Sequence, residues 1–183
     1  MFAVPTRLDD RVAALHEPVA ACAAVLKTPL EARDVGIVVG NGRLAKLTVW
    51  ILQSAGFQNT RQVTMGDVDT ASDGADFVVE TEGTQASFKK CFELLRPGGK
   101  LVLKSRPLLP ISLDLRSVLP KEPQLFAVNY LPFSEALKLL EDDSIDFSAI
   151  IGKTWQANQF EEAFAEANRN EQQKQFISVC VES

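Results

Sequence analysis

Apolar residues in this chain alternate between two patterns: short continuous runs, and longer stretches where they recur every three or four residues. The runs Val35–Val39, Arg61–Met65, Asp76–Glu80, Lys100–Lys104, Gln124–Asn129 and Gln175–Val181 predict strands. Helical spacing follows most of them. From Leu44, the positions Leu44, Leu47, Ile51, Leu52 and Ala55 share one face, and Gly56 is placed to end the helix. Further helices are expected over Pro18–Lys27, with Pro in its first turn, and over Ala86–Leu95, stopped by Pro97-Gly98-Gly99. Two more are expected over Pro132–Leu140, with Ser134 as a cap, and over Asn158–Ala167, with Phe160, Ala163, Phe164 and Ala167 on one face. Residues 1–12 read as an extended lead-in and Ile150–Trp155 as mixed. Strands alternating with helices predict an α/β fold, a doubly wound and mostly parallel sheet of about five strands.

The join between the first strand and its helix carries the chemistry. Val35–Val39 runs into Gly40-Asn41-Gly42-Arg43-Leu44-Ala45, a G-x-G-x-x-A turn that opens a helix. Such a turn suits a dinucleotide. The first glycine makes the bend, and the second lets the backbone approach a pyrophosphate. The small Ala45 keeps helix and strand close, and the helix start presents free N–H groups and a positive dipole end. Glycines here also serve a purely structural turn inherited from a binding ancestor, and the residues alone leave both readings open. Arg43 is placed either to reach a phosphate or to sit in solvent. Glu80, Thr81 and Gly83 follow a strand end, where open α/β sheets bind ligands, and Lys104 and Ser105 follow the next.

Composition narrows the classes. With 183 residues and 46% hydrophobic content, one domain with a real core is expected, with a small appendage. A net charge of −5 and the lack of basic runs argue against nucleic acid. No apolar stretch approaches the ~18 residues of a membrane span. The start MFAVPTRLDDR lacks the layout of a signal peptide, so a cytoplasmic location is expected. Cys22, Cys91 and Cys180 lie far apart in apolar company and read as buried, reduced thiols. With these and the single His16, His and Cys ligands at motif spacing for zinc cannot be assembled.

Several segments, in order, resemble the cofactor-binding half of the medium-chain dehydrogenases, the zinc alcohol dehydrogenase and threonine dehydrogenase-like group. They are Glu17-Pro18-Val19-Ala20-Ala21-Cys22, VVGNGRLA, DFVVETEG, LLRPGGKLVLKS, PFSEALKLLEDDSIDFSAII and QFEEAFAEA. Together they span about residue 4 to residue 181. The resemblance implies a Rossmann-like domain at 31–146, a lead-in and linker helix at 1–30, and an appendage at 147–183 that matches the limb returning to the family's catalytic domain. It implies NAD or NADP over Gly40, Asn41, Gly42, Arg43, Leu44 and Ala45, with Glu80, Thr81 and Gly83 nearby. It also implies a homodimer formed edge to edge through the strand Leu125–Tyr130.

Two departures accompany the match. The chain begins where the family's cofactor domain begins, so the domain that supplies zinc ligands and much of the substrate cleft is expected to be missing. No catalytic residue and no zinc are then expected, and a separate chain is a candidate source of that half. Secondly, only ten residues separate Met65 from Asp76, whereas a crossover between parallel strands needs about a dozen or more. One strand–helix unit is expected to be deleted, with Arg61–Met65 left as the sheet edge. The acidic ribose ligand, expected about 20 residues after the glycines, has only the displaced candidates Asp67 and Asp69. Cofactor binding is therefore expected to be weak or lost. The limb's strands, near Lys153–Gln156 and Gln175–Val181, need to pair with each other, a second copy or another protein.

Other residues have plain readings beside the sharp ones. Glu17 matches a zinc-site glutamate of polyol-type relatives, but a carboxylate near a helix start is itself favourable. His16 reads as a helix-start surface residue, and Trp50 and Phe160 as core or interface packing. Three functions follow for testing: a nucleotide-binding domain without autonomous dehydrogenase activity, a non-catalytic scaffold built on the same core, and an S-adenosylmethionine-dependent methyltransferase. PGGKLVL permits the last, and the dehydrogenase-like tail argues against it.

Overall fold

A computed structural model describes residues 5–67 and 74–179. In chain order the elements are α1 (Asp10–Ala13), α2 (His16–Ala23), β1 (Gly36–Val39), α3 (Arg43–Ser54), β2 (Thr60–Val63), β3 (Ala75–Glu80), α4 (Gln85–Leu94), β4 (Leu95–Leu103), α5 (Leu115–Val118), β5 (Gln124–Ala127), α6 (Phe133–Leu140), β6 (Ile151–Gln156), α7 (Phe160–Arg169) and β7 (Lys174–Ser178).

Five strands form one parallel sheet in the order β2-β1-β3-β4-β5. The chain moves one way from β1 to β2, then crosses back so that β3 lies on β1's other side. Such a reversal leaves a crevice at the carboxyl ends of the two strands flanking it, here β1 and β3. Both strands are buried along most of their length, which explains their continuous apolar runs. The sheet is the expected α/β, Rossmann-like, doubly wound arrangement, and β2 is an edge within it.

Helix α3 carries two apolar faces. Ala45, Val49 and Leu52 pack on the sheet with Val38, Phe77, Val79 and Val102. Leu47 and Ile51 pack outward against Val19 and Ala20 of α2 and Ala136 and Leu140 of α6. On the sheet's other face, Cys91 and Phe92 of α4 cover Ile37, Val39, Val78 and Leu101. Ala45 is fully buried, so its small side chain sets how closely α3 meets the sheet. Trp50 packs, half-buried, against the α2–α6 layer.

Several expectations need correction. Leu44 and Ala55 are exposed, because burial of Ala45 and Val49 turns α3's apolar face away from them. The α2 helix begins at His16, before Pro18, and its last turn, Ala24–Lys27, is a tighter 3-10 turn. The Arg96–Gly99 stretch lies inside β4 as a register irregularity against β3 rather than ending α4. Pro132, not Ser134, occupies the cap of α6. On α7 only Ala163 of the expected apolar face is buried, while Phe160 and Phe164 are 51% and 63% exposed. Phe160 is therefore not core in this chain.

Beyond the main sheet, β6 and β7 pair with each other as a two-stranded parallel sheet, with α7 between them in sequence. Of the three ways to satisfy that limb's edges, the chain uses its own strands. Cys22 and Cys91 are buried and free, as expected, and Cys180 and Asp69 lie outside the described residues. No helix among the described residues is long and apolar enough to cross a membrane.

Candidate functional site

The crevice between β1 and β3 opens into a cleft of about 1060 Å³, lined by the glycine turn, Thr81, Glu82, Thr84 and the segment 167–175. The turn is held from three sides. Gly40 donates its N–H to the Val63 carbonyl at 3.0 Å. Gln62 Nε2 donates to the Gly40 carbonyl at 2.7 Å. The Thr81 hydroxyl donates to the Val39 carbonyl at 2.8 Å.

The two glycines do different work. Gly40 has φ +151°, and a Cβ there would sit 2.2 Å from Thr81 Oγ1, so the position is closed to side chains. Gly42 has an ordinary φ of −80° and stands as the N-cap of α3. A Cβ on Gly42 would meet nothing nearer than the Glu171 carboxylate at 4.0 Å. Gly42 thus keeps backbone bare toward open space at a helix start, which is the geometry an anion needs.

Two backbone donors at the mouth of this turn, those of Asn41 and Arg43, already have partners. Asn41 donates its N–H to Glu82 Oε1 at 3.1 Å. Arg43 donates its N–H to the Glu171 carbonyl at 3.2 Å, and its guanidinium donates to the same oxygen at 3.2 Å. Gln172 Nε2 donates to the Asn41 carbonyl and, at 3.3 Å, to Asn41 Oδ1. Arg43 therefore lies on the C-terminal segment rather than free in solvent. Leu44 is exposed at the mouth, and its carbonyl accepts from Thr48 Oγ1 at 2.7 Å.

Glu80 does not face the cleft. It is completely buried at the end of β3. Its Oε1 accepts from the N–H of Glu82 at 2.9 Å, the N–H of Gly83 at 2.8 Å and Ser87 Oγ at 2.6 Å. Its Oε2 accepts from Ser105 Oγ. The carboxylate ties together the 81–84 loop, the start of α4 and the end of β4. Gly83, in the left-handed region at φ +72°, makes this loop close on residues 105–107. Glu80 thus organises the cleft's wall.

Asp67 also departs from its expected role. Its Oδ2 accepts the Thr64 N–H at 2.6 Å, a bond that holds its carboxyl below the ordinary carboxylate range. It caps the turn after β2 and is not among the residues lining the cleft. Lys104 points to the strand end of β5, donating to the Asn129 carbonyl at 2.7 Å, and burial pushes its pKa down. Lys174 lines the cleft, with its pKa likewise lowered by burial although Glu17 opposes the shift.

Glu17 and His16 do not converge on a shared position. Glu17 accepts from the Tyr130 hydroxyl at 2.7 Å. His16 Nε2 donates to the Phe133 carbonyl at 2.6 Å, and its ring meets that of Phe133 edge-on. His16 is half-buried rather than a surface residue. Among the described residues no group of three or more His, Cys, Asp or Glu could hold a metal ion.

Reasoning from sequence placed Glu82 within the ligand-facing strand end Glu80–Thr84 but missed Glu171, Gln172 and Gln62. Gln62 was within reach, since it neighbours Val38 across the β1–β2 ladder. Gln172 and Glu171 carry no local signal, because they reach the turn from about 130 residues away.

Comparison with known proteins agrees with this geometry. No family model matches the chain. A Rhizobium meliloti (strain 1021) protein provisionally assigned as a D-xylulose reductase is 26% identical, over 81% of this chain and 53% of its own length. The 2R,3R-butanediol dehydrogenase of Bacillus subtilis superposes with a TM-score of 0.83 at 20% identity, covering 98% of this chain and 60% of that one. The chain is similar to the cofactor-binding half of the medium-chain dehydrogenases. A provisionally named zinc-binding dehydrogenase of Sinorhizobium meliloti 1021, solved with NADP bound, superposes with a TM-score of 0.82 at 18% identity over 96% of this chain and 61% of its own. The chain thus spans about half the length of the curated relative and about three-fifths of these structures.

Proposed function

We propose that this chain is a dinucleotide-binding domain of dehydrogenase type, taking NAD or NADP across Gly40–Ala45. The observation that carries the reading is the bare helix start at Gly42, set at the switch point between β1 and β3. The pyrophosphate would lie against Gly42 and the first turn of α3, with Arg43 beside it and Thr81 at the adjoining strand end. A bound nicotinamide would supply hydride chemistry, while this chain's own residues bind and orient the cofactor. The groups that act on a substrate would come from the rest of the relatives' length, as further sequence or as a separate chain.

Titration calorimetry with NADH and NADPH, and with S-adenosylmethionine as control, tests the reading. Micromolar binding of a dinucleotide that disappears in Gly42→Asp is the expected result. Gly42→Asp places a carboxylate where the phosphates would lie, without a steric clash in the free protein. Absence of heat at millimolar ligand, with the variant and parent both folded, would favour the scaffold reading instead.

A specific observation also supports self-association. Strand β5 pairs with β4 alone within the described sheet, and Leu125 is 46% exposed on it. Leu108, Leu109 and Leu119 leave further apolar surface in the same part of the sequence. We infer a homodimer joined through this edge. Sedimentation velocity should give a dimer that Leu125→Lys converts to monomer, and a monomeric parent would refute it.

A further inference from the structure

Two of the backbone donors at the glycine turn, and the Arg43 guanidinium beside them, are engaged by the chain's own acceptors. The Asn41 N–H meets the Glu82 carboxylate at 3.1 Å. The Arg43 N–H and guanidinium both meet the Glu171 carbonyl, each at 3.2 Å. The α7–β7 loop that brings Glu171 is tethered further by Gln172, whose amide grips both oxygens of Asn41. Asn170 shapes the loop, its Oδ1 accepting the Gln172 N–H at 3.1 Å. The Glu82 carboxylate holds the Asn41 N–H, and the Glu171 carboxylate lies 4.0 Å from where a Cβ on Gly42 would sit, so two negative charges flank the place a phosphate would occupy.

We propose that the α7–β7 loop, with Glu82, is an autoinhibitory strap over the glycine turn, which a dinucleotide must displace to bind. The proposal rests on the dinucleotide reading above. The physical basis is competition for the same donors. A phosphate offers strong acceptors to the N–H groups at a helix start, but here it must first break hydrogen bonds already made and push aside two like charges. The loop lies between α7 and β7 with Glu171 exposed, so its displacement would uncover little buried surface. Affinity is then set by the strap as much as by the turn.

The alternative is that these bonds only satisfy an otherwise orphaned helix start. Two measurements on the intact 183-residue chain decide between them. The first is amide hydrogen exchange, residue by residue, in the free protein. The strap requires protection of the Arg43 and Asn41 N–H groups, with Asn41 released in Glu82→Ala, which removes its acceptor, and Arg43 less protected in Gln172→Ala, which unties the loop that carries the Glu171 carbonyl. The second is titration of each form with NADH and with inorganic pyrophosphate. Each opened variant should bind NADH about tenfold more tightly than the parent, the factor expected when one or two competing hydrogen bonds are removed.

Unprotected Arg43 and Asn41 amides in the parent would overturn the strap while leaving the cofactor reading intact. Release of the amides without a gain in NADH affinity, where the parent binds NADH, would also overturn it. If the amides are protected and then released, yet no form binds NADH or pyrophosphate, the dinucleotide reading fails and the inhibitory role falls with it. Circular dichroism of each variant identifies any that fails to fold, and the parent's exchange pattern stands independently of the variants.

Discussion

Glu80→Ala should be among the most damaging single substitutions near the cleft, although Glu80 faces no ligand. The side chain is completely buried and accepts from two backbone N–H groups and two hydroxyls. Truncation to alanine leaves all four donors without that acceptor. The hydroxyls have other recourse, since Ser87 Oγ already reaches the Thr84 carbonyl at 2.9 Å. The N–H groups of Glu82 and Gly83 do not rotate. An unsatisfied buried donor costs about 1–3 kcal/mol, so the two amides together cost about 2–6 kcal/mol. For a domain of this size, 1 kcal/mol shifts Tm by about 2–4 °C, giving a fall of roughly 4–24 °C. Glu80→Gln keeps one oxygen for the two amides and can donate to Ser105 Oγ, so its cost should be about 1–2 kcal/mol. Urea and thermal unfolding of both variants measure this. An alanine variant within about 0.5 kcal/mol of the parent, or a glutamine variant as costly as alanine, would refute the network as the support of the 81–84 loop.

The two turn glycines should separate stability from binding: Gly40→Ala should lose about 1–3 kcal/mol of stability through strain and the Thr81 clash. Gly42→Ala should unfold within about 0.5 kcal/mol of the parent yet bind NADH more weakly, as read by paired melts and titrations. Burial raises the pKa of Asp76, but the Val35 N–H at 2.7 Å and Arg96 at 2.6 Å outweigh it, leaving the folded value lowered. That stability is present above the ordinary aspartate range and is lost as pH falls through the lowered folded value. Stability–pH curves of parent and Asp76→Asn should therefore differ near neutrality and converge in acid. Burial also pushes the Cys22 thiol up to about 11, and raises the Cys91 thiol as well. Mass-resolved alkylation at neutral pH should label neither until the protein unfolds, and rapid native labelling of Cys22 would contradict its burial.

The alternation of buried strands and helices was legible because parallel strands covered on both faces must be apolar throughout. A search for apolar–polar alternation within strands would have missed β1, since Gly36–Val39 is buried at every position. The glycine turn was legible for a similar reason, since bare backbone at a strand–helix join leaves a fixed spacing. The two faces of α3 were not, because Ala45 and Val49 are short or branched residues whose burial depends on the sheet beneath. The roles of Glu80 and Asp67 were also hidden. An acidic residue at a strand end reads as a ligand group until the surrounding N–H groups are located, and for Glu80 those come from the following loop. The occupation of the turn by Glu171 and Gln172 is a tertiary fact with no local trace. The pairing of β6 with β7 was one of three open outcomes, fixed only by their approach in space.

The most direct test of the central claim is amide chemical-shift mapping of the chain on addition of NADH. Binding at the switch point predicts shifts concentrated at Gly40–Ala45 and Thr81, with accompanying changes at Glu171 and Gln172 as the loop yields. Shifts confined to β6, β7 or the β5 edge, or none at millimolar NADH, would contradict a dinucleotide site at this turn.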